Sequence, residues 1–302
     1  MNNKVILIIG GSGFIGSNLV KNLLPHNKIY ILDKVLPEKK KIAHINIKYL
    51  KSDIKNIKNY ENILKKTDYL FHLAGFIGKD LFLKKEQLVN NDIVNLMNLT
   101  SLLKINQKIK IIFTSSCQIY GNQKGISIMN EDKLPNPETS YGISKLIAEI
   151  YLKDISKRLN IPIACLRLFN VYGLGQSTEM AIPNFINKAK NNVEIKIDGD
   201  GTQTRDFLHI DDCIKAMVKV AKKIKKYEII NIPGSTVISI NNLVKLIIKI
   251  TGSRSKINYL KNNSKMQIKK SIGSSVKLNQ FINYKPDKRL NDGIKEILSS
   301  YE

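Results

Sequence analysis

The 302-residue chain has no tryptophan, three cysteines, four histidines and only five arginines. The cysteines (Cys117, Cys165, Cys213) are odd in number and none sits in a C-x-x-C pair, so neither a disulfide framework nor a zinc site is indicated. The histidines (His26, His44, His72, His209) are scattered without an H-x-x-x-H pair, and no metal is expected. No apolar run approaches the ~20 residues needed to span a bilayer. The run Val5–Ile9 is too short for a signal-peptide core and no small-residue cleavage site follows it. The expectation is a cytoplasmic protein without a membrane partner.

Acidic residues are also few, 25 against 49 basic ones, for a net charge of +24. Charge of this size invites a nucleic-acid reading. Nearly all of the excess is lysine, however, spread along the chain beside abundant isoleucine and asparagine. All three have A/T-rich codons, so genome composition explains the bias, and nucleic acid is not the favoured partner. Runs such as Lys39-Lys40-Lys41 and Lys222-Lys223 read as solvated faces. The surplus charge still favours anionic ligands, phosphates included.

What is present is ordinary globular material, 43% hydrophobic and 25% charged. The length suits one large domain or two intimate ones. Val5–Ile9 reads as a strand buried on both faces, Phe14–Leu24 as a helix and Lys28–Leu32 as a second strand ending at Asp33. Tyr69–Leu73, Lys110–Thr114 and Ile163–Leu168 read as further strands, and Val89–Leu103 and Tyr141–Leu159 as helices. This alternation predicts an α/β fold with a Rossmann-like, doubly wound parallel sheet. After Phe169 the pattern loosens. The expected division is a dinucleotide-binding domain over 1–168, rejoined by about 206–230, with a smaller α/β substrate lobe over 169–302.

Gly10-Gly11-Ser12-Gly13-Phe14-Ile15-Gly16 links the first strand to the first helix. Gly10 permits the tight turn, and Gly13 lets backbone approach a pyrophosphate. The N–H groups of Phe14 and Ile15 would hold it, while Gly16 allows close packing. The spacing is G-x-x-G-x-x-G rather than G-x-G-x-x-G. Asp33 lies at the distance where a carboxylate accepts hydrogen bonds from an adenosine ribose and repels a 2′-phosphate, which favours NAD over NADP. Lys34 next to it weakens that preference.

Tyr141 and Lys145 form Y-x-x-x-K, one face of a helix. An ammonium beside a phenol favours the phenolate, which can act as a general base on a sugar hydroxyl. Thr114-Ser115-Ser116 follows a strand, where a hydroxyl can hydrogen-bond a substrate oxygen at the sheet's carboxyl edge.

Together these residues resemble the extended short-chain dehydrogenase/reductases of the NAD-dependent epimerase/dehydratase family. The matching stretches are GGSGFIGS (Gly10–Ser17), Ser52-Asp53-Ile54, FHLAG (Phe71–Gly75), TSSCQIYG (Thr114–Gly121), SYGISK (Ser140–Lys145), LRLFNVYG (Leu166–Gly173) and GDGTQTRDFLHIDD (Gly199–Asp212). The resemblance implies that Gly10, Gly13, Gly16 and Asp33 hold NAD, with Asp53 and Ile54 at the adenine and Leu73, Ala74 and Gly75 lining the cofactor. It implies Ser116, Tyr141 and Lys145 as the catalytic trio, with Lys145 also reaching the nicotinamide ribose. Asn170 and Arg205 match positions that bind a nucleotide-sugar diphosphate. A homodimer through the two helices Val89–Leu103 and Tyr141–Leu159 is likewise implied.

Dehydratases of the family carry an Asp-Glu pair just after the catalytic hydroxyl; here Cys117 and Gln118 stand there. Cys117 reads as a small buried thiol, His209 as a loop-ordering residue, and Tyr120 and Phe169 as core. The remaining chemistry is 4-epimerisation of a nucleotide sugar, UDP being the family default. A 4-reductase or 4,6-dehydratase, or a non-catalytic NAD- or RNA-binding protein of the same fold, are the alternatives. The Asn262–Lys270 stretch lacks an Arg and an Asp found in many relatives, and Gly273 replaces another Asp.

Overall fold

The computed structural model describes residues 1–36, 42–75, 85–123, 128–261 and 268–301, and of residues 85–92 the backbone alone. The lysine run and residues 262–267 lie outside the described residues. Thirteen strands are described: β1 (Val5–Ile9), β2 (Lys28–Asp33), β3 (Ile47–Lys51), β4 (Tyr69–His72), β5 (Lys110–Ser116), β6 (Ile163–Leu168), β7 (Asn170–Tyr172), β8 (Ile195–Asp198), β9 (Thr204–His209), β10 (Glu228–Ile232), β11 (Thr236–Ser239), β12 (Ile257–Leu260) and β13 (Lys270–Ser271). The described helices are α1 (Phe14–Leu23), α2 (Glu61–Lys66), α3 (Lys85–Thr100), α4 (Ser140–Leu159), α5 (Ala181–Lys190), α6 (Ile210–Lys223), α7 (Ile240–Thr251), α8 (Val276–Ile282) and α9 (Leu290–Ser299).

Seven strands form one sheet in the order β10-β6-β5-β4-β1-β2-β3. Every pair is parallel. Alternation along β1 explains why it reads as a continuous apolar run. Ile6 and Ile8 face a core shared with Leu19 and Val20 of α1 and Met217 of α6. Leu7 and Ile9 face the opposite core, with Leu96 and Leu99 of α3 and Leu152 of α4. The strand order reverses between β1 and β4, so a crevice opens at the carboxyl ends of those strands, where such sheets take ligands.

The first helix and β4 each end one residue earlier than the sequence suggests, at Leu23 and His72, and three other elements also differ from the expectation. β5 continues to Ser116, which remains paired to Leu168 of β6. α3 covers Lys85–Thr100 rather than 89–103; at its end the Thr100 hydroxyl shares a 2.7 Å bond with the Tyr151 hydroxyl of α4. α4 begins at Ser140 because the Thr139 hydroxyl accepts the Gly142 N–H at 3.0 Å, an N-cap. β3 was not anticipated.

β9 centres a second sheet. β11 pairs with it antiparallel, and β13 and β7 pair with it in parallel. Ile186 of α5, Leu243, Val244 and Ile247 of α7, and Ile294 and Ile297 of α9 share a separate core. No described helix is long and apolar enough to cross a membrane.

Candidate active site

The glycine turn is shaped by what surrounds it. Gly10 has φ +81°, and a Cβ there would lie 2.6 Å from the Ala74 nitrogen. A Cβ on Gly16 would lie 2.4 Å from the Gly10 oxygen. At Gly13 a Cβ would meet, among the described residues, only the Gly10 oxygen, at 3.5 Å, so backbone here is accessible to a ligand. Gly13 also N-caps α1 without a side-chain hydrogen bond. The first N–H groups of the helix, at Phe14 and Ile15, are therefore available to that ligand, with the positive end of the helix dipole. Leu73 closes the floor, its N–H donating to the Ile9 oxygen. This cradle suits a diphosphate, so the residues present fit a dinucleotide.

Asp33 ends β2 and is built into the turn: it accepts the Ser12 N–H at 2.9 Å and the Val35 N–H at 3.2 Å. Asp53 accepts the Lys55 N–H at 3.0 Å and pairs with Lys34 at 3.1 Å. Burial would raise its pKa, but the Lys55 N–H and Lys34 outweigh this and hold it below the usual range. Lys34 is thus engaged by Asp53, a pairing that sequence proximity to Asp33 did not suggest. Ile54 buries its side chain in the core around Leu50 and Leu64, so its side chain packs inward.

Ser116 ends β5 and caps the following 3-10 turn, Cys117–Tyr120, its Oγ accepting the Gln118 N–H at 3.2 Å. The first turn of α4 lies directly on this segment. A Cβ on Gly142 would stand 2.7 Å from the Gln118 oxygen, and the Thr139 hydroxyl donates to Gln118 Oε1 at 2.9 Å. The start of α4, which carries Tyr141, is thereby packed on the turn that Ser116 caps. One turn on, buried Lys145 places its Nζ 5.5 Å from the Tyr141 ring centre and 4.9 Å from that of Phe113. A Cβ on Gly75 would lie 3.3 Å from the same Nζ, so the cradle and Lys145 adjoin.

The opposite wall comes from the second sheet. Arg205 donates from Nη1 to the oxygens of Thr204 and Ile268 and forms no ion pair among the described residues. Burial lowers its pKa. Asn170 donates to the Asp206 oxygen at 3.0 Å. Ser271, opposite Arg205 in register, donates to Cys117 Sγ at 3.5 Å, tying this wall to Ser116's neighbour. Cys117 packs with Tyr120, Met129 and Phe169, and burial pushes its thiol pKa up. Tyr120 and Phe169 are buried. A Cβ on Gly273 would lie 2.6 Å from the Phe169 ring, which explains glycine there.

A profile of the NAD dependent epimerase/dehydratase family matches residues 6–233. The chain belongs to this family. Its relatives include a putative UDP-glucose 4-epimerase of Methanocaldococcus jannaschii, 31% identical over 98% of this chain and 97% of that protein. A dTDP-D-glucose 4,6-dehydratase of Dictyostelium discoideum is 32% identical, over 83% of this chain and 64% of its own length. Among solved structures, a UDP-N-acetylglucosamine 4-epimerase from Methanobrevibacter ruminantium M1, in complex with UDP-N-acetylmuramic acid, superposes with TM-score 0.91. It is 29% identical, over 100% of this chain and 99% of that one. The UDP-glucuronic acid 4-epimerase of Bacillus cereus, in complex with UDP-glucuronic acid and NAD, is 29% identical, over 98% and 99%, with TM-score 0.89.

In this epimerase-family site, Asp206 and the Glu149–Arg167 pair stand out as residues that sequence reasoning left without a role. Asp206 is buried, accepts the N–H groups of Gly234 and Gly273 at 2.7 and 3.0 Å, and is pushed up to about 6 by burial. His209 caps α6, its Nδ1 accepting the Asp211 N–H at 3.2 Å. His209, Asp211 and Glu296 gather potential metal ligands. With Nδ1 accepting, His209 is neutral; its Nε2 carries the proton and lies 3.3 Å from one Glu296 oxygen, while Lys288 holds the other in an ion pair, which leaves no open set of lone pairs for a metal. Glu149 and Arg167 lie beneath the trio as a buried ion pair.

Proposed function

We propose that the protein is a nucleotide-sugar 4-epimerase acting on UDP-sugars: UDP-glucose and UDP-galactose or their N-acetyl forms. What supports this reading is the packing of the start of α4, which carries Tyr141 and Lys145, on the turn capped by Ser116 and against Gly75 of the glycine cradle, with Cys117 and Gln118 where an acid–base carboxylate pair would be needed for dehydration. Gln118 spends its carbonyl on Thr139, and a carboxamide cannot exchange protons.

Gly10, Gly13, Phe14, Ile15 and Gly16 would hold the NAD diphosphate, Asp33 its adenosine ribose, and Asp53, Ile54, Leu73, Ala74 and Gly75 the remaining flank. Bound NAD supplies reversible two-electron chemistry at C4 of the sugar. Tyr141 takes the O4 proton from one C4 epimer and returns it to the other. Lys145 stabilises the phenolate electrostatically from the next turn of α4. Ser116 donates a hydrogen bond to O4 as its charge changes. Arg205, a half-buried cation with no ion pair among the described residues, and Asn170 would hold the sugar diphosphate, leaving the hexose to turn. Lys34, occupied by Asp53, is not poised to receive a 2′-phosphate, in keeping with NAD.

We read residues 1–168 with about 206–230 as the cofactor-binding part and the rest of 169–302 as the substrate lobe. A homodimer through α3 and α4 accounts for the exposed Val94 and Met97 on one helix and Ile143, Ile147 and Ile150 on the other, an apolar stripe at helical spacing. A cytoplasmic location suits a cofactor and substrates found there.

The test is incubation of purified protein, without added cofactor, with UDP-glucose, UDP-galactose and their N-acetyl forms, followed by proton NMR. Convergence on one C4 mixture from both directions is expected. Formation of a 4-keto-6-deoxy sugar would instead establish the dehydratase reading.

A further inference from the structure

We propose that Glu149, clamped by Arg167 and Ser115, is a positioning residue that fixes the rotation of α4 so that Tyr141 and Lys145 face Ser116. The proposal rests on the reading of those three residues as the catalytic trio.

Tyr141, Lys145 and Glu149 follow one another at intervals of four, so all three share one stripe of α4. Glu149 receives Arg167 Nε at 3.0 Å on Oε1 and Nη2 at 2.7 Å on Oε2. The Ser115 hydroxyl donates to Oε1 at 2.6 Å. The side chains of the pair are 2% and 3% exposed. Burial alone would lower the Arg167 pKa, but the bonds to Glu149 outweigh it and hold the guanidinium charged.

The clamp touches each element that supplies the trio. Ser115 immediately precedes Ser116 on β5. Arg167 Nη1 donates at 2.9 Å to the hydroxyl of Tyr120, the last residue of the turn that begins after Ser116. The Tyr120 hydroxyl in turn donates to Asn231 Oδ1 at 2.8 Å, and Asn231 Nδ2 donates to the Met129 oxygen at 3.0 Å. Met129 pairs with the substrate wall, its N–H donating to Ile272 and its oxygen accepting from Ser274. Tyr227 secures the helix backbone, donating to the Glu149 oxygen at 2.8 Å.

A buried ion pair is a poor way to gain stability, because apolar residues of the same volume do as well or better. What a bidentate guanidinium–carboxylate fork provides is orientation, since two parallel bonds fix the angle as well as the distance. Displacements near 1 Å at a reacting group cost about a hundredfold in rate. A fork beneath the trio is placed to prevent them.

The experiment compares Arg167→Lys, Glu149→Gln, Ser115→Ala and Tyr141→Phe with wild type in the C4-epimerisation assay. Circular dichroism and thermal melts report folding. The lysine variant keeps the charge and loses the fork; kcat should fall about 10–100-fold with KM changed less than about twofold. Ser115→Ala leaves the ion pair whole and should lose about 3–10-fold in kcat, again without a change in KM. Because stripping one partner from a buried pair can unfold a protein, Ser115→Ala decides the matter if the charged variants do not fold. Folded Arg167→Lys and Ser115→Ala proteins with kcat within twofold of wild type, or a loss confined to KM, overturn the proposal. Undiminished turnover in Tyr141→Phe would instead overturn the catalytic reading beneath it.

Discussion

Replacing His72 with leucine should reverse the acid dependence of folding stability. His72 ends β4 just before the cofactor cradle, buried, with no hydrogen-bond partner for either ring nitrogen among the described residues. Burial, and then the charge of Lys145, lower its pKa from 6.5 to about 3. An unfolded chain protonates this imidazole below pH 6.5, and the folded protein does not until about pH 3. Stability is therefore lost as pH falls through that window, by ~1.4 kcal/mol per unit, or about 2 kcal/mol between pH 7.5 and 5.0. Asp206 acts with the opposite sign. Its folded pKa of about 6, against 3.8, means that the fold holds a proton more tightly than the unfolded chain, and about 1.4 kcal/mol is gained at pH 5.0. In the wild type these nearly cancel. Urea denaturation at pH 7.5 and 5.0 should show the wild type losing under about 1 kcal/mol from this pair while His72→Leu gains about 1.4 kcal/mol from Asp206. Identical pH shifts in the two proteins would refute the reasoning, since all other titrating groups are common to both.

The remaining predictions concern the site and its surroundings. Gly16→Ala should abolish NAD retention, measured by absorbance of the deproteinised supernatant, because its Cβ would stand 2.4 Å from the Gly10 oxygen. Gly273→Asp should lower stability by about 1–3 kcal/mol in urea melts, because the Phe169 ring occupies that space. Thr139→Ala removes the cap of α4 and its tie to Gln118, and should cost about 1 kcal/mol with a larger relative loss in kcat than in KM. Ile147→Glu with Ile150→Glu should convert the dimer proposed above to monomer in sedimentation velocity without unfolding it.

Features carried by short spacings were legible before any coordinates. The glycine turn needs residues within one strand–helix junction, and Y-x-x-x-K needs one helix face. The doubly wound sheet follows from strands buried on both faces. What escaped attention depends on residues far apart in the chain. Glu149 and Arg167 meet across 18 positions and Asn231 joins them from β10, with no periodicity to announce either. An acidic residue four places after Lys145 was the available signal, though it reads equally as a solvated helical charge. Lys34 sat beside Asp33 in sequence, yet its partner is Asp53, delivered by the parallel pairing of β2 and β3. Asp206 likewise gains significance from Gly234 and Gly273, two loops that the sequence does not connect to β9.

The central claim is that the hydrogen at C4 leaves and returns within one active site, with Tyr141 handling the O4 proton. It is tested most directly with UDP-glucose deuterated at C4, turned over in ordinary water without added cofactor and read by NMR and mass spectrometry. The account predicts that the label is retained at C4 of the galactose epimer, and that Tyr141→Phe gives no detectable conversion. Washout of deuterium to solvent, or full turnover in that variant, would contradict it.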